Sequence, residues 1–471
     1  MALTREELLA RHGERYKWLV LLTVMFGSMA AIMSSTIVNV AVPALSREFA
    51  LGQGSAQWVS ASFMLAMTLA MLTTPWLLQR FGMRRTYGGS MLLLLCGGVI
   101  GGLSPSYPIL LAMRVAEGLA CGIVQPIPAI QILRNFERQE QGRAMGLFGF
   151  GVVLAPALGP SVGGFLVEHF GWRSIFFIMV PFCVAVLVMA HRLLAASVPE
   201  SEARPLDWRG LLLAGLAIVG ILNGLVRLRT DVPLAAAMIL PSLACLVGFI
   251  VYQLRAKHPL MNMALFRYPQ FAAGSLVAFI YGMGLFGSTY LLPVFMQIGL
   301  HYSPSQAGLV LLPAGGVLAV TIWLGARLVD RIPAHVLVSS GVALLALSFA
   351  LMAFCGPDTA YATLMSWAVV GRIGLGLVLP ALSLGAMRGL DRSFITQGSS
   401  TINFLRQLGG AIGVALVGIV LEWRLKAHPA GAGAHGLRAF DETFLFIAAI
   451  SVLAVLAAWR IRAGRVAADT V

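Results

Sequence analysis

The sequence predicts an all-α polytopic membrane protein with fourteen spanning helices, and three observations predict it. Hydrophobic residues make up 59% of the 471 and charged residues only 11%, too few polar groups to cover a water-soluble surface of that size. Apolar runs of about 20 residues, the length that crosses a hydrocarbon core of roughly 30 Å, follow one another with short polar turns between them. Lysines and arginines gather in alternate turns, as they do where a chain returns repeatedly to one side of a bilayer.

Apolar runs bounded by charged turns place helices near 18–42, 58–78, 86–103, 107–130, 144–167, 174–196 and 208–226. Seven more follow near 233–254, 271–298, 305–326, 335–355, 360–387, 395–421 and 441–460. The first run is too long for a signal h-region and stays as a membrane helix. With this register only Arg47, Arg173, Arg227, Arg229, Arg424, Lys426 and Arg438 fall in turns on one side, and Arg114, Arg372 and Arg406 fall within spans. The remaining Lys and Arg lie on the side of the two termini, which the positive-inside rule makes cytoplasmic.

The excess of base over acid, 33 against 19, recurs in short loops and forms no single basic face, so no nucleic-acid partner is expected. Lys17, Lys257 and Lys426 are the only lysines, and none stands in a P-loop frame, which excludes that route to ATP. Cys96, Cys121, Cys183, Cys245 and Cys355 fall in apolar spans and read as small hydrophobes, with no metal site. The eight histidines lie in loops or near helix ends, and no buried His/Asp pair, zinc spacing or G-x-S-x-G elbow appears. An enzyme is therefore not expected.

A weak internal repeat divides the chain. Leu77-Leu78-Gln79-Arg80 after the second helix finds a counterpart in Leu328-Val329-Asp330-Arg331 after the tenth, and Arg114 in the fourth helix has one in Arg372 of the twelfth. Repeated halves with a site between them are common in secondary transporters. Ser197 to Pro205 is rich in Pro, Ser and charge and ends the first unit. The expected organisation is 1–200 as an N-terminal six-helix bundle, 201–258 as two inserted linker helices, and 259–471 as a C-terminal six-helix bundle.

In the fifth helix, GLFGFGVVLAPALGPSVGG carries Gly146, Gly159, Pro160, Gly163 and Gly164. Small residues let a neighbouring backbone approach, and Gly159-Pro160 weakens the helix ladder where bending is useful. The run resembles the antiporter motif of drug/proton exchangers in the major facilitator superfamily, with Ala155 where glycine is usual. In the first helix, Thr36-Ile37-Val38-Asn39-Val40-Ala41-Val42-Pro43 resembles the fourteen-helix, EmrB/QacA-type branch, with Ser34 where that branch has an aspartate. After the second helix, Leu77, Arg80, Gly82, Arg84 and Arg85 resemble the superfamily's loop motif, with Pro75 for its first glycine and Gln79 for its aspartate; Asp330 and Arg331 stand in the second half. The resemblance makes these residues a gate between bundles, while topology alone explains the arginines equally well. Gly398 to Gly413, with Arg406, is similar to the same branch.

Arg114-Val115-Ala116-Glu117-Gly118 resembles the family pattern R-x-x-Q-G with Glu117 at the glutamine. Residues three apart share a helix face, so Arg114 and Glu117 can pair inside the membrane, where ionisable groups are costly and mark functional sites by default. Glu117 is the carboxylate placed nearest the middle of a span. Two readings stand: Glu117 carries the proton that the aspartate missing at Ser34 would have carried, or the pair is a permanent structural bridge. Ser34, Asn39 and Arg406 are candidates for the substrate cavity, Arg406 with a structural alternative. Trp58, Phe63 and Met67 are weaker candidates.

The resemblance implies a major facilitator fold of two six-helix bundles plus two inserted helices. It further implies export of amphipathic or hydrophobic small molecules in exchange for protons by alternating access, with the proton gradient as energy source and no cofactor. The expected setting is the inner membrane, with lipid, amphiphilic substrate and protons as partners. The short turn from Arg424 to Phe440 fits a monomer with no obligate periplasmic adaptor. Three intramembrane arginines against one carboxylate favour neutral or anionic substrates. The alternative is an uncoupled facilitator, or a transporter of lipid or anionic amphiphiles, that lost the coupling aspartate.

Overall fold

The computed structural model describes residues 5–51, 53–195, 205–228, 231–302, 304–356, 359–427 and 434–461. Among them the chain is helical throughout, with no strand. The first half comprises α1 (Arg5–His12), α2 (Arg15–Glu48), α3 (Gln53–Gly102), α4 (Tyr107–Val124), α5 (Ile127–Asn135), α6 (Arg138–Phe170), α7 (Ser174–Phe177) and α8 (Met179–Leu193). Next come α9 (Trp208–Arg227) and α10 (Val232–Arg255). The second half comprises α11 (Pro269–Val294), α12 (Pro304–Leu328), α13 (Ala334–Met352), α14 (Tyr361–Gly385), α15 (Ile395–Ala427) and α16 (Ala434–Ala458).

Twelve helices among the described residues are long and apolar enough to cross a membrane; α6, part of which lies outside the described side chains, is not counted among them. Their outer faces suit lipid. Leu312 is 73% exposed and Phe150 42%, a burden in water that hydrocarbon removes. The expected helices at 58–78 and 86–103 belong to one 50-residue helical run, α3, broken at Gly82, whose φ of 75° and ψ of 172° no L side chain adopts comfortably. Thr86 Oγ1 donates to the Leu77 carbonyl across that break, at 2.9 Å. Helix α1 was not expected, because its polar sequence lacks a membrane-length run.

Small residues set the packing within each half. A Cβ on Gly118 or Gly122 of α4 would collide with the Phe63 or Met67 carbonyl of α3, and one on Gly282 of α11 or Gly409 of α15 with the Arg406 or Phe279 carbonyl. Backbones therefore touch where a side chain elsewhere would intervene, the packing that substitutes for hydrophobic drive in lipid. Asp207 caps α9 by accepting from Gly210 N at 2.8 Å, and its other oxygen accepts from Gln253 Nε2 of α10 at 2.6 Å. One carboxylate thus starts α9 and fastens it to α10.

Candidate functional site

The charge buried deepest in the first half sits on α4. Arg114 is 0% exposed and Glu117 1%, and one helical turn brings them into an ion pair between Arg114 Nη1 and Glu117 Oε2. Ser34 of α2 completes the cluster: its Oγ donates to Glu117 Oε2 at 3.2 Å, and Arg114 Nη1 lies 3.3 Å from the same hydroxyl. Arg114 also donates from Nε to the Val59 carbonyl of α3 at 3.2 Å, and its guanidinium lies 4.2 Å from the centre of the Phe63 ring. Three helices therefore share one buried pair.

Space for the carboxylate comes from two glycines of α3. A Cβ on Gly97 would lie 2.7 Å from Glu117 Cγ, and one on Gly98 would lie 3.6 Å from Glu117 Oε1. Sequence reasoning missed both, although a glycine doublet inside an apolar span was a readable signal. It also missed the Val59 carbonyl, for which the sequence holds no signal. Arg114 Nη2 is buried with no hydrogen-bond partner among the described residues, so the charged arginine is incompletely satisfied where it stands.

Ser34 therefore belongs to the ion-pair cluster, fully buried, and lines no open surface. Phe63 and Met67 are likewise buried, in the α3–α4 contact, whereas Trp58 is exposed. The side chain of Asn39, and Gly159, Pro160 and Gly164 of α6, lie outside the described residues. Gly146 and Gly163 are described: a Cβ on Gly146 would lie 3.0 Å from Ala326 Cβ of α12, and one on Gly163 2.6 Å from Ile37 Cγ1 of α2.

In the second half, Arg372 of α14 and Arg406 of α15 are half-buried within membrane spans. Arg406 Nη2 donates to Asn403 Oδ1 at 2.9 Å. Both guanidinium groups lie near Tyr281 of α11, whose hydroxyl donates to the Leu375 carbonyl at 3.2 Å. No carboxylate pairs with either arginine among the described residues.

The loop residues divide by task. Arg80, Arg85 and Arg331 are exposed. Arg84 turns back on its own half and bonds His191, at the end of α8, at 2.8 Å. Asp330 crosses between halves, accepting from the backbone N–H of Gly142 near the start of α6, where the helix dipole favours a negative charge. Burial raises the Asp330 pKa above its ordinary 3.8, against smaller lowering effects of that N–H and of Arg388. Gln79, at the matching place in the first half, borders a cavity of about 50 Å³ shared with Gln397 near the start of α15. Arg134 Nη2 donates to Thr396 Oγ1 at 2.7 Å and Ser399 Oγ to the Pro126 carbonyl at 3.2 Å. The two halves are thus closed against each other at the end that carries the Gly82 turn.

Comparison with known proteins agrees with this architecture. The xylose symporter XylE, described as a major facilitator superfamily proton:xylose symporter, superposes with a TM-score of 0.66 over 94% of this chain and 95% of its own, at 15% identity. The human organic anion transporter MFSD10 gives 0.67 over 94% and 99%, also at 15% identity. A multidrug resistance protein B homolog of Mycobacterium tuberculosis is 30% identical over 412 residues, 85% of this chain and 76% of that protein. The lincomycin resistance protein LmrB of Bacillus subtilis is 27% identical over 416 residues, 87% of each chain. The family model described as Major Facilitator Superfamily matches residues 24–414, and the chain belongs to that superfamily: it is a membrane transport protein and not an enzyme.

Proposed function

We propose that the protein exports amphipathic or hydrophobic small molecules, drug-like in size, in exchange for protons by alternating access. The observation that carries the coupling half of this reading is the buried Arg114–Glu117 pair, fastened by Ser34. A carboxylate in hydrocarbon is stable either protonated or paired, and a movement that separates it from Arg114 exchanges one condition for the other. Because α2, α3 and α4 all contribute, relative motion of these helices changes the proton affinity. Resistance and export names among the relatives support the export half.

In this reading the membrane is crossed fourteen times. Helix α3, about 75 Å long if straight, crosses twice about the Gly82 break, and α6 crosses once, which brings twelve candidates to fourteen. The bundles are 1–200 and 259–471, with 201–258 inserted; both termini face the cytoplasm from the inner membrane, and the working unit is a monomer without an adaptor. Arg372 and Arg406 leave the second half positively charged, which favours neutral or anionic substrates over polycations.

The test is efflux of a fluorescent amphiphile from proteoliposomes under an imposed pH gradient, comparing wild type, Glu117→Gln and the double variant Arg114→Gln/Glu117→Gln. Breaking one side of a buried pair costs about 3–5 kcal/mol, so the double variant guards against misfolding. Coupling through Glu117 requires that gradient-driven flux is lost in both while downhill exchange persists. Substitution of serine at 34 and glutamine at 79 favours a second reading, an uncoupled facilitator; equal wild-type flux with and without the gradient selects it.

A further inference from the structure

A groove of about 480 Å³ lies where α6 of the first half meets α12 of the second, flanked by Trp18 of α2, and its apolar walls at Phe150 and Val320 are exposed, as a lipid-facing surface is. At its mouth Arg143 lies with its guanidinium 5.1 Å from the Trp18 ring, and Arg327 with its own 3.7 Å from the Trp323 ring. Neither arginine pairs with a carboxylate among the described residues. A guanidinium stacked on a ring keeps its edge N–H groups for an anion, and the fork suits phosphate oxygens.

The two arginines stand at one membrane level, since Arg143 follows the start of α6 at Arg138 and Arg327 precedes the end of α12 at Leu328. Arg and Trp together mark the interface between headgroups and hydrocarbon. Seven residues farther in on each helix, about 10 Å along the axis, the walls are Phe150 and Val320, the latter 53% exposed. A charged mouth over an apolar floor matches a molecule with an anionic head and a hydrocarbon tail.

We infer that this groove is a binding site for one anionic phospholipid, its phosphate held between Arg143 and Arg327 and an acyl chain laid along Phe150 and Val320. A zwitterionic headgroup would bring an ammonium toward two guanidinium groups, so net negative lipids are preferred. Because the arginines belong to different halves, the headgroup binds both only while this end of the protein is closed, and it shifts the population toward that state. The inference does not depend on proton coupling.

The site is tested first on the unaltered protein in nanodiscs, by quenching of tryptophan fluorescence with acyl-brominated phosphatidylglycerol or phosphatidylcholine, and again in Trp323→Phe, which keeps a ring under Arg327. Phosphatidylglycerol is expected to quench more, with the excess reduced in Trp323→Phe. Native mass spectrometry of detergent-purified protein then compares wild type, Arg143→Gln/Arg327→Gln and Arg143→Lys/Arg327→Lys. Affinity for the first phosphatidylglycerol should fall at least about tenfold in the glutamine variant, one decade in binding constant, and less in the lysine variant. Equal quenching by the two lipids, an unchanged first affinity in the glutamine variant, or full displacement by inorganic phosphate, which would make it a free-anion site, overturns the proposal.

Discussion

Ser34 and Glu117 stand 83 residues apart, yet the serine hydroxyl donates to Oε2 of the glutamate at 3.2 Å, the oxygen that also pairs with Arg114. Position 34 is where the resembling branch has its aspartate. An acid placed on α2 at that position would therefore address the same point as the acid on α4.

Exchange of the two residues tests that equivalence. Glu117→Gln alone should abolish gradient-driven flux, and Ser34→Asp added to it should restore a substantial part, because an aspartate at 34 faces Arg114 Nη1. Ser34→Asp alone puts two carboxylates against one arginine, of which only one ionises readily. It should slow transport and move its pH optimum upward. Flux assays in proteoliposomes read all three; a folded exchange variant as inactive as Glu117→Gln would disprove the equivalence.

Packing of α3 on α4 supports a prediction about stability. Gly122→Ala brings a Cβ onto the Met67 carbonyl, and backbone cannot swing aside as a flexible side chain does. Overpacking of this kind costs about 1–3 kcal/mol, so the detergent melting temperature should drop. Gly88→Ala is the control: a Cβ there meets nothing within 4 Å, and helix propensity should leave stability equal or slightly higher. A melting temperature unchanged in Gly122→Ala would show that α3 and α4 are less tightly apposed.

Much of this was legible in sequence because lipid imposes a simple rule of length and polarity. Apolar runs located the long helices from α2 to α16 with ends displaced by several residues, although two expected helices fall within the one run of α3 and the breaks between α4 and α5 and between α7 and α8 were not foreseen. Spacing alone foretold that Arg114 and Glu117 could meet. Long-range partners left no such trace. Nothing local in Ser34 or Val59 signals Glu117, and the Gly97-Gly98 doublet marks a close approach without naming its partner, because their meeting depends on how α2, α3 and α4 pack. Phe63 and Met67 are apolar in a span whether they face a cavity or a neighbouring helix, and only packing shows that they face α4.

Asp330 gives a dependence on pH. Burial at the Gly142 contact raises its pKa above 3.8, so the closed end holds a proton on this group more tightly than an opened, solvated one. The sign follows: closure at this end is strengthened as pH falls through the raised value and weakened as pH rises through it. Spin labels at Gln139 and Arg392, exposed on opposite halves, should report a larger short-distance population at about pH 4 than at about pH 7, against the ordinary carboxyl range. Asp330→Asn should flatten that dependence; a pH response equal to wild type would remove Asp330 from the gate.

Arg372 and Arg406 bear on substrate charge. Arg114 is neutralised by Glu117, whereas these two have no carboxylate pairing with them among the described residues. A unit charge about 6 Å from a guanidinium at an effective dielectric near 20 interacts by about 3 kcal/mol. That is enough to separate anions from cations by more than tenfold, even after some loss to solvent. Among amphiphiles of equal size, anionic members should therefore show the higher kcat/KM, neutral ones an intermediate value and dications the lowest. Arg372→Gln/Arg406→Gln should lower the anion value about tenfold while leaving neutral compounds within a factor of a few. Competition measurements in proteoliposomes decide it: preferential transport of dications by the wild type would mean that the arginines serve helix packing and that an acid outside the described cluster sets selectivity.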